Sequence, residues 1–145
     1  MKQRLTSRIA IVLVGLGLVT ASAACTAQLP TAEVGACIDM EALSTSDGTE
    51  FPTVECDTEH GGEVVGSVDQ PDGDYPGIEA LEEQGWGACQ SEFETYVGLP
   101  VEQSSLMMSF YYPSAATWSR GDREILCIAY LTDGTTTGSW EGSNI

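Results

Sequence analysis

Five cysteines, Cys25, Cys37, Cys56, Cys89 and Cys127, carry most of the chemistry this chain can do. The last four form an even set. No two of them have the close Cys-x-x-Cys spacing of redox motifs and zinc sites. In an exported domain such a set makes disulfides. Four cysteines allow three pairings, and sequence alone does not choose among them. Placement on the predicted elements favours Cys37–Cys56, which ties two neighbouring strands, and Cys89–Cys127, which pins the apolar face of a helix to a core strand. Cys25 is the odd one, and its position suggests a lipid attachment point.

The remaining chemistry is sparse. Cys56-Asp57-Thr58-Glu59-His60 gathers acids around the chain's one histidine. Acid–base or nucleophilic catalysis needs a second group of matched role within reach, and no nucleophile motif accompanies His60. We therefore expect no enzyme activity, no catalytic residue, no resident metal and no cofactor. Asp69, Asp72 and Asp74 lack the D-x-D-x-D-G spacing of a calcium loop and suggest a solvated loop. Trp118-Ser119-Arg120-Gly121-Asp122-Arg123 holds two arginines beside an aromatic. The commoner fate of such a run is a turn: Gly121 supplies a positive φ, Asp122 bonds the backbone and Arg123 pairs with an acid. The functional alternative is a binding loop of Trp118, Arg120, Asp122 and Arg123, with Arg120 as its recognition residue. Tyr111, Tyr112, Trp118 and Trp140 could stack on sugars or a protein partner, although packing in the core or at a sheet edge is the more frequent role of aromatics.

The elements that must position these residues form a small α+β domain. Cys37–Met40 and Thr53–Cys56 are short strand candidates, with a turn cluster at Ser44–Gly48 between them. Glu63–Val68 predicts a strand, and Asp69–Asp74 a loop. Pro76-Gly77 opens a helical stretch that Gly85 and Gly87 should interrupt. Trp86, Cys89, Phe93, Tyr96 and Val97 then recur at helical spacing on one apolar face, and Gly98-Leu99-Pro100 ends the helix. Leu106–Tyr112 predicts a strand. Ser114 caps a short turn carrying Trp118. Arg123–Leu131 is the strongest strand and contains Cys127. The expected fold is a small antiparallel sheet with one main helix packed on a face and two disulfides.

The N-terminus supplies the compartment. Lys2, Arg4 and Arg8 precede an apolar run, Ile9–Val19, of eleven residues, too short to span a bilayer. Ala21-Ser22-Ala23-Ala24 and Cys25 follow, the layout of a cleaved export signal. Cleavage before Cys25 would follow a bacterial lipobox, with Ser22 where Leu is usual, and would leave a diacylated cysteine that anchors stably. Cleavage after Ala23 would leave a secreted protein. The lipoprotein reading accounts for the odd cysteine, so we expect residues 1–24 to be signal, 25–33 tether and 34–145 domain.

Loss of the signal removes Lys2, Arg4 and Arg8, leaving Arg120 and Arg123 against all 22 carboxylates. Such a surface excludes nucleic acid and anionic headgroups as partners. The expected contacts are the membrane, through lipidated Cys25, and an unidentified envelope or division protein.

Gly35-Ala36-Cys37, Val54-Glu55-Cys56, His60 and Glu63-Val64-Val65 together resemble the start of the bacterial septum formation domain. The resemblance continues through Tyr75-Pro76-Gly77, Cys89, Phe93 and Tyr96-Val97-Gly98. It closes with Tyr112-Pro113, Trp118, Gly121-Asp122-Arg123 and Cys127, covering Val34 to Leu131. Ala36 and Glu59 depart from it, where that family often has Asp and Pro. The resemblance implies an extracytoplasmic, membrane-associated protein of actinomycete-type bacteria with a tie to cell division. The leading expectation is a non-catalytic, lipid-anchored binding module of the cell envelope. The alternatives are a small-ligand or metal-binding lipoprotein and an envelope hydrolase.

Overall fold

A computed structural model describes residues 29, 31–46 and 50–145. Cys25 and the export signal lie outside the described residues. Among the described residues, no helix is long and apolar enough to cross a membrane.

The apolar run that suggested the strongest strand is the centre of the sheet. This strand, β5 (Glu124–Tyr130), has β3 (Gly62–Asp69) on one side and β4 (Met107–Tyr111) on the other. Beyond β3 lie two short strands, β1 (Cys37–Ile38) and β2 (Thr53–Val54). The order is β2-β1-β3-β5-β4, and every neighbouring pair is antiparallel. β5 is apolar on both faces because both are covered. Ile125, Cys127 and Ala129 point to the main core, while Leu126 and Ile128 point to a second, smaller one. A bulge between Val64 and Gly66 lets β3 follow suit, with Val64 in the small core and Val65 in the main one.

The main core is closed by one long helix, α2 (Ile78–Val97). Leu81, Gly85, Cys89, Phe93 and Val97 form its buried stripe. The expected interruption at Gly85 and Gly87 does not occur. Gly85 instead admits the Phe110 ring of β4, since a Cβ at that position would lie 2.7 Å from two ring carbons. Trp86 also departs from expectation. It is one residue past the stripe and 52% exposed, with only an edge contact to Phe110 at 6.4 Å. Gly98 ends α2 in the left-handed region at φ 92°, and its N–H bonds the Glu94 carbonyl.

The small core is closed by a short helix, α1 (Met40–Thr45), where the sequence suggested a strand end and a turn. Its cause is local: Asp39 Oδ1 accepts the N–H groups of Glu41 and Ala42. Leu43 then turns inward beside Ile38, Val64, Leu126 and Ile128. Ala32 packs in the same core, so the segment expected as tether joins the fold before residue 33.

The two expected disulfides are present. Cys89–Cys127 joins α2 to β5, and Cys37–Cys56 joins β1 to the loop after β2. Each has a Cα–Cα distance of 5.3 Å.

Candidate functional site

The Trp118–Arg123 run shows what each of its residues does. Ser114 caps α3 (Ala115–Trp118) through a reciprocal pair of bonds with Thr117. This delivers Trp118 into the main core, where its indole N–H donates to the Gly73 carbonyl at 2.9 Å. Gly121 has φ 99° and reverses the chain. Arg123 then folds back, its guanidinium carbon 4.0 Å from the Trp118 ring centroid. Its Nη1 donates to the carbonyls of Trp118 and Asp122 at 2.8 and 2.7 Å. Its Nε lies 3.3 Å from the Asp72 carboxylate, at an angle that makes an ion pair but no hydrogen bond. Asp122 accepts the Glu124 N–H. Of the two arginines Arg120 is the exposed one, with no ion pair to any described residue. The run is thus a folded turn with one free cation on its surface.

A cleft opens beside this turn, on the sheet face opposite α2. Its volume is about 150 Å³. Leu43 and Leu126 from the small core form its apolar base. Phe51 and Tyr111 form an edge-on pair with centroids 5.0 Å apart. Glu50, Asp122 and Glu124 stand among its lining residues. β4 has to present Tyr111 here, because alternate residues Met108 and Phe110 are committed to the α2 side. Tyr111 is 41% exposed, and partial burial raises the pKa of its phenol. Tyr112, also lining the cleft, donates to Glu82 at 3.0 Å, and that bond raises its pKa. Glu124 is held by two donors, Ser67 at 2.5 Å and Thr31 at 2.8 Å.

A second polar cluster is sealed inside. Glu63 in β3 is fully buried, yet it accepts three hydrogen bonds: Tyr96 hydroxyl at 2.6 Å, Ser139 hydroxyl at 2.6 Å and Trp140 N–H at 2.7 Å. The Tyr96 pKa is raised to about 12, first by burial and then by its bond to Glu63. His60 is 1% exposed, with its ring centroid 5.5 Å from that of Trp140. Its backbone pairs with Thr136 in both directions, which closes the segment after β5 over it.

Of the aromatics singled out in the sequence, Trp118 and Trp140 are core residues, while Tyr111 and Tyr112 reach the cleft. Phe51, Glu50, Glu63 and Ser139 were not singled out. Phe51 carried no periodic signal, and the partners of Glu63 lie 33 to 77 residues away. Cys25, the expected lipid attachment point, lies outside the described residues.

The family model described as septum formation matches residues 15–134, most of the chain. No curated protein and no solved structure matches it significantly. The match spans both disulfides, α2 and the Trp118–Arg123 turn, and the chain belongs to the septum formation family.

Proposed function

We propose that this protein is a non-catalytic binding module of the cell envelope that serves septum formation from a lipid anchor at Cys25. The observation that carries the binding reading is the cleft of Phe51, Tyr111 and Leu126 rimmed by Glu50, Asp122 and Glu124. An apolar, aromatic base with carboxylates at its edge suits a lysine or arginine side chain of a protein partner. The stem packs on the rings and the charge meets the acids. The acidic balance of the whole chain supports the same choice, since its field attracts basic segments and repels acidic ones. The non-catalytic reading is supported by His60, the chain's one histidine, which is 1% exposed and has no nucleophile motif beside it. The anchor reading is supported by the export signal and by the odd cysteine.

Arg120 carries a second reading, recognition of an acidic group, because it is exposed while Arg123 is committed to the turn. One experiment separates the two. A photo-crosslinking residue at position 111 and another at position 120 are compared in dividing cells, alongside Tyr111→Ala and Arg120→Ala. The cleft reading expects capture from position 111 and loss of the partner in Tyr111→Ala with unchanged melting. Loss in Arg120→Ala alone would transfer recognition to the turn. Mass spectrometry of the mature protein should show a diacylglyceryl adduct on Cys25, and a free N-terminus at Ala24 would make the protein secreted.

A further inference from the structure

We infer that the corner formed by Cys37, Cys56, His60 and Glu63 is a redox-gated zinc site: closed as a disulfide when oxidised, and a tetrahedral thiolate–imidazole–carboxylate site when reduced.

The inference starts from one unpaired atom. His60 Nε2 is buried and has no hydrogen-bond partner among the described residues. A buried polar atom left alone is costly, and native structures rarely keep one without a use. The other ring nitrogen settles the proton. Nδ1 lies 2.9 Å from the Thr58 carbonyl, which can only accept, so Nδ1 carries the hydrogen. In the neutral imidazole Nε2 then presents a bare lone pair. An imidazole held by an Nδ1–H···O=C bond, with Nε2 free, is the arrangement in which proteins offer histidine to metals.

The ring has suitable company. A His60 ring nitrogen, Cys37 Sγ and a Glu63 carboxylate oxygen all lie within 4.8 Å of one another. Cys56 Sγ lies outside that mutual 4.8 Å group, but it is bonded to Cys37 Sγ, so reduction frees it as a second thiolate next to the corner. Two sulfurs, one imidazole and one carboxylate are the donor types of a four-coordinate zinc site. Glu63 Oε2 accepts only the Trp140 N–H and keeps a second lone pair. In the disulfide form the sulfurs carry no charge and cannot bind zinc as thiolates.

The switch balances with a dithiol as reductant. Cys37 is fully buried, whereas Cys56 is half-buried, so the reductant's thiolate attacks Cys56 Sγ. The S–S bond breaks and its electron pair leaves on Cys37 Sγ, beside His60. The reductant's second thiolate attacks the mixed disulfide, releases the Cys56 thiolate and departs as its own disulfide. Zinc then binds both thiolates, and any thiol protons pass to solvent. Cys89–Cys127 is untouched because both of its sulfur-bearing residues are fully buried.

The test uses the mature protein with its Cys37–Cys56 bond opened by a limiting dithiol, confirmed by alkylation and peptide mass mapping. Cobalt(II) is titrated first, then zinc. The expected result is one tightly held ion per chain, a sulfur-to-cobalt charge-transfer band, and zinc-edge X-ray absorption showing two sulfur neighbours and an imidazole. The oxidised protein should bind neither ion. His60→Ala should weaken zinc by more than the roughly 10–100-fold that follows loss of a merely supporting residue. If His60→Ala does not fold, the imidazole signature in the wild-type absorption spectrum decides. No stoichiometric ion in the reduced chain, or a bound ion without imidazole, would overturn the inference.

Discussion

Two arginines three residues apart should respond to truncation in opposite ways. Arg123→Ala removes two charge-assisted bonds to the Trp118 and Asp122 carbonyls. Each is worth about 1.5–3 kcal/mol when fully desolvated and less here, because the side chain keeps 20% exposure and water can replace it. The stacking on Trp118 at 4.0 Å adds about 0.5–1 kcal/mol. The pair with Asp72 adds under about 1 kcal/mol, since that carboxylate is 98% exposed. Allowing for overlap between these terms, the loss should be about 3 kcal/mol. With a urea slope of about 2 kcal/mol per molar, the unfolding midpoint should fall by about 1.5 M. Arg120→Ala should stay within about 0.5 kcal/mol of wild type. Equilibrium urea unfolding, followed by tryptophan fluorescence, measures both. An Arg123→Ala loss below about 1 kcal/mol, or an equal loss at Arg120, would refute the assignment of the turn to Arg123.

Glu63→Ala should cost about 1–3 kcal/mol in a thermal melt, because it strands the buried Trp140 N–H and removes the acceptor of the Tyr96 and Ser139 hydroxyls. The folded chain holds the Tyr96 proton more tightly than the unfolded one, so that contribution is complete below pH 10 and is lost as pH rises toward 12. Tyr96→Phe should flatten the alkaline decline, and an unchanged pH profile would contradict it. Removing Cys89–Cys127, which closes 38 residues, should destabilise by about 4 kcal/mol, against about 3 kcal/mol for the 19-residue loop of Cys37–Cys56. Comparing the two double-alanine variants in denaturant checks the order. Gly87→Ala meets nothing within 4 Å and should stabilise α2 by up to about 1 kcal/mol, whereas Gly85→Ala must displace the Phe110 ring and should destabilise.

Much of the architecture was legible in the chain because periodicity and punctuation are local. The apolar run Arg123–Leu131, the Gly98 stop and the Ser114 cap all act within a few residues, and each lies where expected. The disulfide pairs followed from the same placement. The misreadings have long-range causes. Gly85 looked like a breaker because its use, a seat for Phe110, comes from a strand 25 residues on. Trp86 looked like core because the stripe was phased on it instead of on Leu81 and Gly85. The α1 helix was hidden in six residues whose only strong signal is the Asp39 cap. The cleft was the least legible feature. It joins Glu50 and Phe51 from one loop, Tyr111 from an edge strand and Asp122 from a turn, and no local pattern links them.

The early joining of the chain to the small core sets a distance. Thr31 already bonds Glu124, Ala32 is buried, and Leu29 lines a shallow hollow together with Asp122 and Arg123. Only Thr26, Ala27 and Gln28 separate Leu29 from Cys25. At about 3.5 Å per residue, those four links reach about 14 Å at full stretch. If Cys25 carries the lipid, Leu29, where the chain meets the domain, is leashed within two Debye lengths of the bilayer, each about 8 Å at physiological ionic strength. A basic partner of the kind proposed for the cleft would then meet the domain close to the membrane, as the first residues outside a transmembrane helix do. Lengthening the 26–28 segment with a Gly/Ser insert should therefore widen the range of neighbours the module can reach, without altering its fold.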